Sequence, residues 1–190
     1  MRKLILSMQI SIDGFIEGEN GDMSWMALDE PMSWDDTFEM LSTVDTALLG
    51  GVTFPIYRDH WKGCLAGSKC SANELKYAKW ADKTQHLVVS KTLKDPEWQN
   101  TKVISGSVVE EVKKLKEQKG GDIYLVGGGM LARTMIDAGL VDAYRLTVSP
   151  YIAKKGKSLW SPLTNTHKLE PAGVKQLELG AIVLRYNEKK

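Results

Sequence analysis

Three consecutive glycines, Gly127, Gly128 and Gly129, stand between an apolar run and a helical pattern. Ile123 to Val126 form a short β-rich run, and Met130, Leu131, Ala132, Met135 and Ile136 recur at helical spacing. A strand, a glycine turn and a helix in that order let the backbone approach a ligand closely, because glycine has no side chain in the way. The free N–H groups and positive dipole end of the helix then face the ligand and favour a phosphate. A plain tight turn is the competing reading. The pattern is neither the dinucleotide fingerprint G-x-G-x-x-G nor a P-loop.

The elements that must position this turn follow from the hydrophobic pattern. Apolar runs predict strands over 3–12, 46–49, 85–90, 102–104, 123–126 and 143–153. Helices are predicted from Trp34, with Ser33 as cap, over 52–60 and 72–80, and over 108–118 with Ser107 as cap. Two further strands, 174–179 and 181–187, flank Gly180 as a terminal hairpin. The predicted fold is α/β: a mainly parallel twisted sheet with helices on both faces and a C-terminal antiparallel hairpin. In such sheets ligands bind beyond the carboxyl ends of the strands. Asp13-Gly14, Gly50 to Thr53, Ser90-Lys91, Ser105-Gly106 and Gly127 to Gly129 each follow a predicted strand, and their convergence on one edge predicts a cofactor cleft.

With 190 residues the chain is expected to form one domain with a proper core. A net charge of +1 offers no electrostatic case for nucleic acid or an anionic membrane. No apolar run approaches a membrane span, and the start Met1-Arg2-Lys3 leads into no apolar leader, so a cytoplasmic protein is expected. Cys64 and Cys70 are then expected as free thiols. The three histidines, at 60, 86 and 167, show no metal-ligand spacing, so no metal is expected.

Five motifs, in order along nearly the whole chain, carry a resemblance. They are S-I-D-G-F-I at 11–16, L-L-G-G-V-T-F at 48–54, V-V-S-K-T-L at 88–93, I-Y-L-V-G-G-G at 123–129 and G-L-V-D-A-Y-R-L at 139–146. The chain resembles the dihydrofolate reductase-like fold. It is most similar to the reductase domain of the bifunctional riboflavin-biosynthesis deaminase–reductase and its stand-alone relatives. The resemblance implies an NADPH-dependent reductase, with NADP as cofactor. It assigns the cofactor pyrophosphate to Gly127, Gly128, Gly129, Met130 and Leu131, and the segment Gly50, Gly51, Val52 and Thr53 to the cofactor wall. Ser90 and Lys91 would meet the adenosine ribose and its 2′-phosphate, a sensible pair for a phosphate monoester. Ser105, at the next strand end, completes the expected cleft.

The match is not complete. Folate enzymes usually carry a basic residue directly after the glycine matched by Gly50, where Gly51 and Val52 stand here. Preference for NADPH over NADH then rests largely on Lys91. The resemblance makes Asp13, Asp35 and Asp36 the candidate catalytic acids. Their competing roles are turn formation for Asp13 and a favourable helix-start charge for the other two. Gly14 and Ile16 fall in the substrate half. Trp34, Phe38, Tyr57 and Trp61, with Trp25, are candidates to stack on a flat heterocycle, or else plain core.

From Asp13 to Met40 the chain has nine acidic residues and no Lys or Arg, Arg58 and Lys62 being the nearest cations in sequence. That argues against a phosphorylated substrate. The expected activity is hydride transfer to a small flat pteridine- or pyrimidine-like molecule. The alternatives are the riboflavin-pathway reductase acting on a phosphoribosylamino-uracil, and a nucleotide-binding protein without turnover. A homodimer is expected from the resemblance and the apolar terminal strands.

Overall fold

Alternation along the first strand, β1 (Leu4–Ser11), sorts its side chains to two faces. Leu4, Leu6 and Ile10 enter one core cluster and Ile5 enters the other. The structure, a computed structural model, describes residues 1–26 and 31–189. After β1 come β2 (Phe15–Glu17), α1 (Pro31–Leu41), β3 (Val44–Gly50), α2 (Thr53–Leu65), α3 (Ala72–Lys83), β4 (Gln85–Val89) and β5 (Thr101–Ile104). Next are α4 (Val108–Glu117), β6 (Asp122–Gly127), α5 (Gly129–Asp137), β7 (Ala143–Ser149), β8 (Lys157–Ser158), β9 (Leu169–Gln176) and β10 (Ile182–Glu188).

The main sheet has the order β5-β4-β3-β6-β1-β7-β10-β9. The strands from β5 to β7 pair in parallel, and the β9–β10 hairpin closes the far edge antiparallel. The fold is therefore the α/β arrangement expected from the pattern. One core cluster packs residues of α4 and α5 (Val112, Leu131, Met135, Ile136) against Leu4, Leu6, Leu48 and Leu125. On the other face Met40, Phe54, Tyr57, Tyr77 and Ala81 of α1, α2 and α3 cover Ile5, Ala47, Leu49 and Tyr124. The chain leaves β1, builds β3, β4 and β5 outward, and returns to insert β6 between β3 and β1. The turn after β6 thus opens at a topological switch point, where such sheets hold ligands.

Several local expectations change. The helix α1 begins at Pro31, not Trp34, so Ser33 lies in its first turn. Proline suits that position because its fixed φ is helical and its missing N–H has no partner there anyway. The next helix, α2, runs past His60 and through Gly63 to Leu65. Both cysteines correct the free-thiol expectation: Cys64, in the last turn of α2, and Cys70, just before α3, form a disulfide with Cα atoms 5.7 Å apart. The small β2–β8 pairing, not expected from sequence, lays the 157–158 segment beside Phe15 and Glu17 of β2.

Candidate functional site

The glycine turn sits against the ends of its neighbouring strands. Gly128 has φ +98°, which only glycine adopts without strain, and a Cβ there would lie 3.3 Å from Thr53 Oγ1. A Cβ on Gly129 would meet Ile16 at 2.5 Å, and one on Gly51 would meet Ser90 at 2.7 Å. Above Gly50 there is open space. The chain therefore brings Ile16, Gly50, Gly51, Thr53, Ser90 and the Gly127–Gly129 turn to one place. The first turn of α5 has no side-chain cap, so its leading N–H groups face this cleft. Val52 and Met130 are exposed apolar side chains, at 86% and 76%. Leu131 contributes backbone only, since its side chain is buried in the core.

Ser90 and Ser105 lie at adjoining strand ends, joined by a Ser90 N–H to Ile104 C=O bond of 3.0 Å. The Ser90 Oγ accepts the Leu93 N–H at 3.0 Å and the Thr92 N–H at 3.3 Å. It also lies 3.5 Å from Thr92 Oγ1, a contact in which either hydroxyl can donate. Lys91 beside it is exposed. A backbone cradle that a Cβ would fill, a helix start without a side-chain cap, a serine hydroxyl and an exposed ammonium fit an anionic dinucleotide.

A pocket of about 380 Å³ lies on the opposite face of the sheet from α5, lined by Gln9, Ser33, Trp34, Thr37, Tyr57, His60, Trp61, Glu74, Tyr77, Tyr124 and Val126. Val126 is the extra residue of a β-bulge, since Leu48 pairs with Leu125 and Leu49 already with Gly127. Tyr57 and Tyr77 hydroxyls are 3.4 Å apart, and Trp61 lies against Tyr77 with ring centroids 4.4 Å apart. Burial raises the pKa of Tyr57 and Tyr77, and pushes Tyr124 up to about 12. All three stay neutral phenols, and the Tyr57 hydroxyl donates to the Tyr77 oxygen.

The polar part of the wall is a His–Glu pair, with His60 Nε2 3.3 Å from Glu74 Oε1. The other Glu74 oxygen accepts the Ser71 N–H at 2.7 Å while Ser71 Oγ accepts the Glu74 N–H, a reciprocal capping box on α3. Among the described residues no Lys or Arg lines this pocket. Arg58 turns to Asp59 and Glu97, and Lys62 donates to the Glu97 carbonyl. A further depression of about 470 Å³ at Lys62, Asp82, Glu97 and Trp98 lies at the amino ends of β4 and β5, away from the glycine turn.

None of the three candidate acids is among the residues lining the pocket. Asp13 accepts from Ser11 Oγ at 2.6 Å and from the Ala153 and Lys154 N–H groups at 3.0 and 2.7 Å. The Ser11 bond first, then those amides, hold its carboxyl below the usual range against the opposing effect of desolvation. It is a clamp between two loops. Asp36 is buried and paired with Arg185 of β10 and Arg145 of β7, which pins α1 to the sheet. Asp35 is exposed. Of the acidic run, Asp29 and Glu30 lie outside the described residues.

Of the substrate-half residues, Trp34, Tyr57 and Trp61 line the pocket. Phe38 lies behind them under the Lys76 ammonium, 3.8 Å from the ring centroid. Trp25 stacks on Tyr151 instead. Gly14 turns the β1–β2 loop under Trp160 with φ +82°. Sequence reasoning missed Gln9, His60, Glu74, Tyr77 and Tyr124. Ser71-x-x-Glu74 is a readable capping signature that marks Glu74's place but not what faces it.

Comparison with known proteins agrees with this architecture. The Bacillus subtilis (strain 168) protein YyaP, itself uncharacterised, is 31% identical over 186 residues, covering 98% of this chain and 95% of that one. A Thermotoga maritima diaminohydroxyphosphoribosylaminopyrimidine deaminase/5-amino-6-(5-phosphoribosylamino)uracil reductase superposes with TM-score 0.69 at 15% identity, over 99% of this chain and 57% of that protein. A dihydrofolate reductase from Enterococcus faecalis, complexed with NADP(H), superposes with TM-score 0.56 at 16% identity, over 99% and 97%. The model of the RibD C-terminal domain matches residues 2–183. With that match across nearly its whole length, the chain belongs to the RibD C-terminal domain family, whose members are reductase-type oxidoreductases.

Proposed function

We propose that this chain is an NADPH-dependent reductase of a small, flat, unphosphorylated heterocycle of the pteridine or pyrimidine kind. The observation that carries this is a glycine turn packed against Thr53 and directly following Val126, which lines an aromatic pocket without Lys or Arg among the described residues. Along the chain the two are neighbours at Val126–Gly127 and over the first turns of α2, from Thr53 to Tyr57. Gly50, Gly51, Val52, Thr53, Ser90, Lys91, Ser105, Gly127, Gly128, Gly129, Met130 and the Leu131 backbone would hold NADPH. Family membership and the NADP(H) bound by the Enterococcus enzyme support that cofactor. When bound, the nicotinamide supplies a hydride for a C=N or C=O carbon.

The chain's own part is orientation and exclusion of water. Trp34, Tyr57, Trp61 and Tyr77 offer flat faces on which a heterocycle can stack. The riboflavin-pathway reductase of a phosphoribosylamino-uracil is the second reading. Family membership favours it, and a wall without Lys or Arg among the described residues counts against it. Titration with NADPH and NADH, followed by tryptophan fluorescence, tests the cofactor. Saturable quenching at lower NADPH than NADH concentration is expected, and no quenching by either would remove the reductase reading.

A further inference from the structure

Glu74 is held from two sides. One oxygen is fixed by the Ser71 N–H in the capping box, and the other faces His60. The disulfide adds a covalent tie beside this pair: Cys64 is four residues after His60, and Cys70 four residues before Glu74. The end of α2 is thereby tied to the start of α3, and the Ser71 N–H holds the carboxylate at the pocket wall. It is half-buried, with 26% of its side chain exposed, and it lies among Trp34, Tyr57, Trp61 and Tyr77. An ionised carboxylate offers about four acceptor sites, so the two contacts already made leave room for a ligand.

We propose that Glu74, oriented by Ser71 and His60, determines the specificity of this pocket. It selects flat heterocycles that present N–H donors and rejects those that carry an anionic substituent. The inference rests on the pocket being the substrate site of the proposed reductase. Its physical content is a fixed acceptor set among aromatic side chains, with His60 already engaged by Glu74 and, among the described residues, no Lys or Arg on the wall to compensate a second negative charge. A like charge at the far end of a bound bicyclic ring, about 10 Å from Glu74 in a partly desolvated site with an effective dielectric constant of about 20, weakens binding about tenfold.

The test uses the full-length, disulfide-intact protein and two probes that differ by one carboxylate, pterin and pterin-6-carboxylate, titrated calorimetrically at pH 7. Wild type is expected to bind pterin at least about tenfold tighter than its carboxylate, a ratio set by the like-charge penalty. The E74Q variant is expected to bring the two within about threefold, since glutamine keeps the capping bond but not the charge. An unchanged melting temperature shows that the cap survives. Equal affinities in wild type, a gap that persists in E74Q, or no binding of either probe would each overturn the proposal. An NADPH titration of the same samples separates the two readings. NADPH binding without a pterin preference removes the role of Glu74 alone, and absent NADPH binding removes the reductase while the probe ratio still judges Glu74.

Discussion

His86 is fully buried, its ring stacked on Trp98 with centroids 4.5 Å apart, and neither ring nitrogen has a partner among the described residues. Burial pushes its pKa down to about 4, only partly opposed by Asp82. An unfolded histidine titrates near 6.5, so between these values the unfolded chain takes up a proton that the folded one refuses. Stability should therefore be intact above about pH 6.5 and fall as the pH drops toward 4, by roughly 3 kcal/mol at most. Urea denaturation at pH 7.5 and pH 5 measures the slope, and H86F should flatten it. The glycine turn makes the second prediction at this scale: Gly128→Val, forced into φ +98° against Thr53, should abolish NADPH binding in the fluorescence titration. That turn was legible from sequence because glycines declare themselves locally. The roles of Asp13 and Asp36 were not legible, because their partners stand at 153, 154, 145 and 185, far along the chain.

At the scale of elements, α1 forms one wall of the pocket and is anchored by charge. Asp36 and Glu39 face Arg145 and Arg185 on β7 and β10. Asp36→Ala would leave two guanidiniums facing a half-emptied, largely buried site, at a cost of about 2–3 kcal/mol. A lower denaturation midpoint with unchanged slope would register it. Weakened pterin binding with NADPH binding kept would place the effect on the α1 wall. The helices themselves were largely readable: Ser107 accepts the Glu110 N–H as its cap position predicted, and α3 starts where its periodicity begins. What the pattern did not give was the length of α2. Gly63 reads locally as a break, yet the helix continues to a cysteine that is tied from outside.

For the whole molecule, the order of the sheet places one glycine turn between two older neighbours, and both candidate sites share that edge. A ligand that binds only the folded chain raises its melting temperature. NADPH at about a hundred times its Kd contributes about 2.7 kcal/mol, or roughly 5–10 °C for a chain of this size. Differential scanning fluorimetry reads that shift, and its absence at high NADPH would contradict the cleft. The parallel sheet and terminal hairpin were visible in the alternation of apolar runs. The aromatic pocket was visible only in part, because its wall gathers residues from β1, α1, α2, α3 and β6.

The cysteine bridge also has a consequence for how the chain comes apart. Lys69 is exposed and lies inside the loop that the Cys64–Cys70 bond closes. Trypsin cutting after Lys69 would open the backbone without releasing either piece. Such a nicked protein should migrate as one band on a non-reducing gel and as two once a thiol reductant is added. The His60 and Glu74 helices would then be held by a single covalent strut in place of a peptide loop.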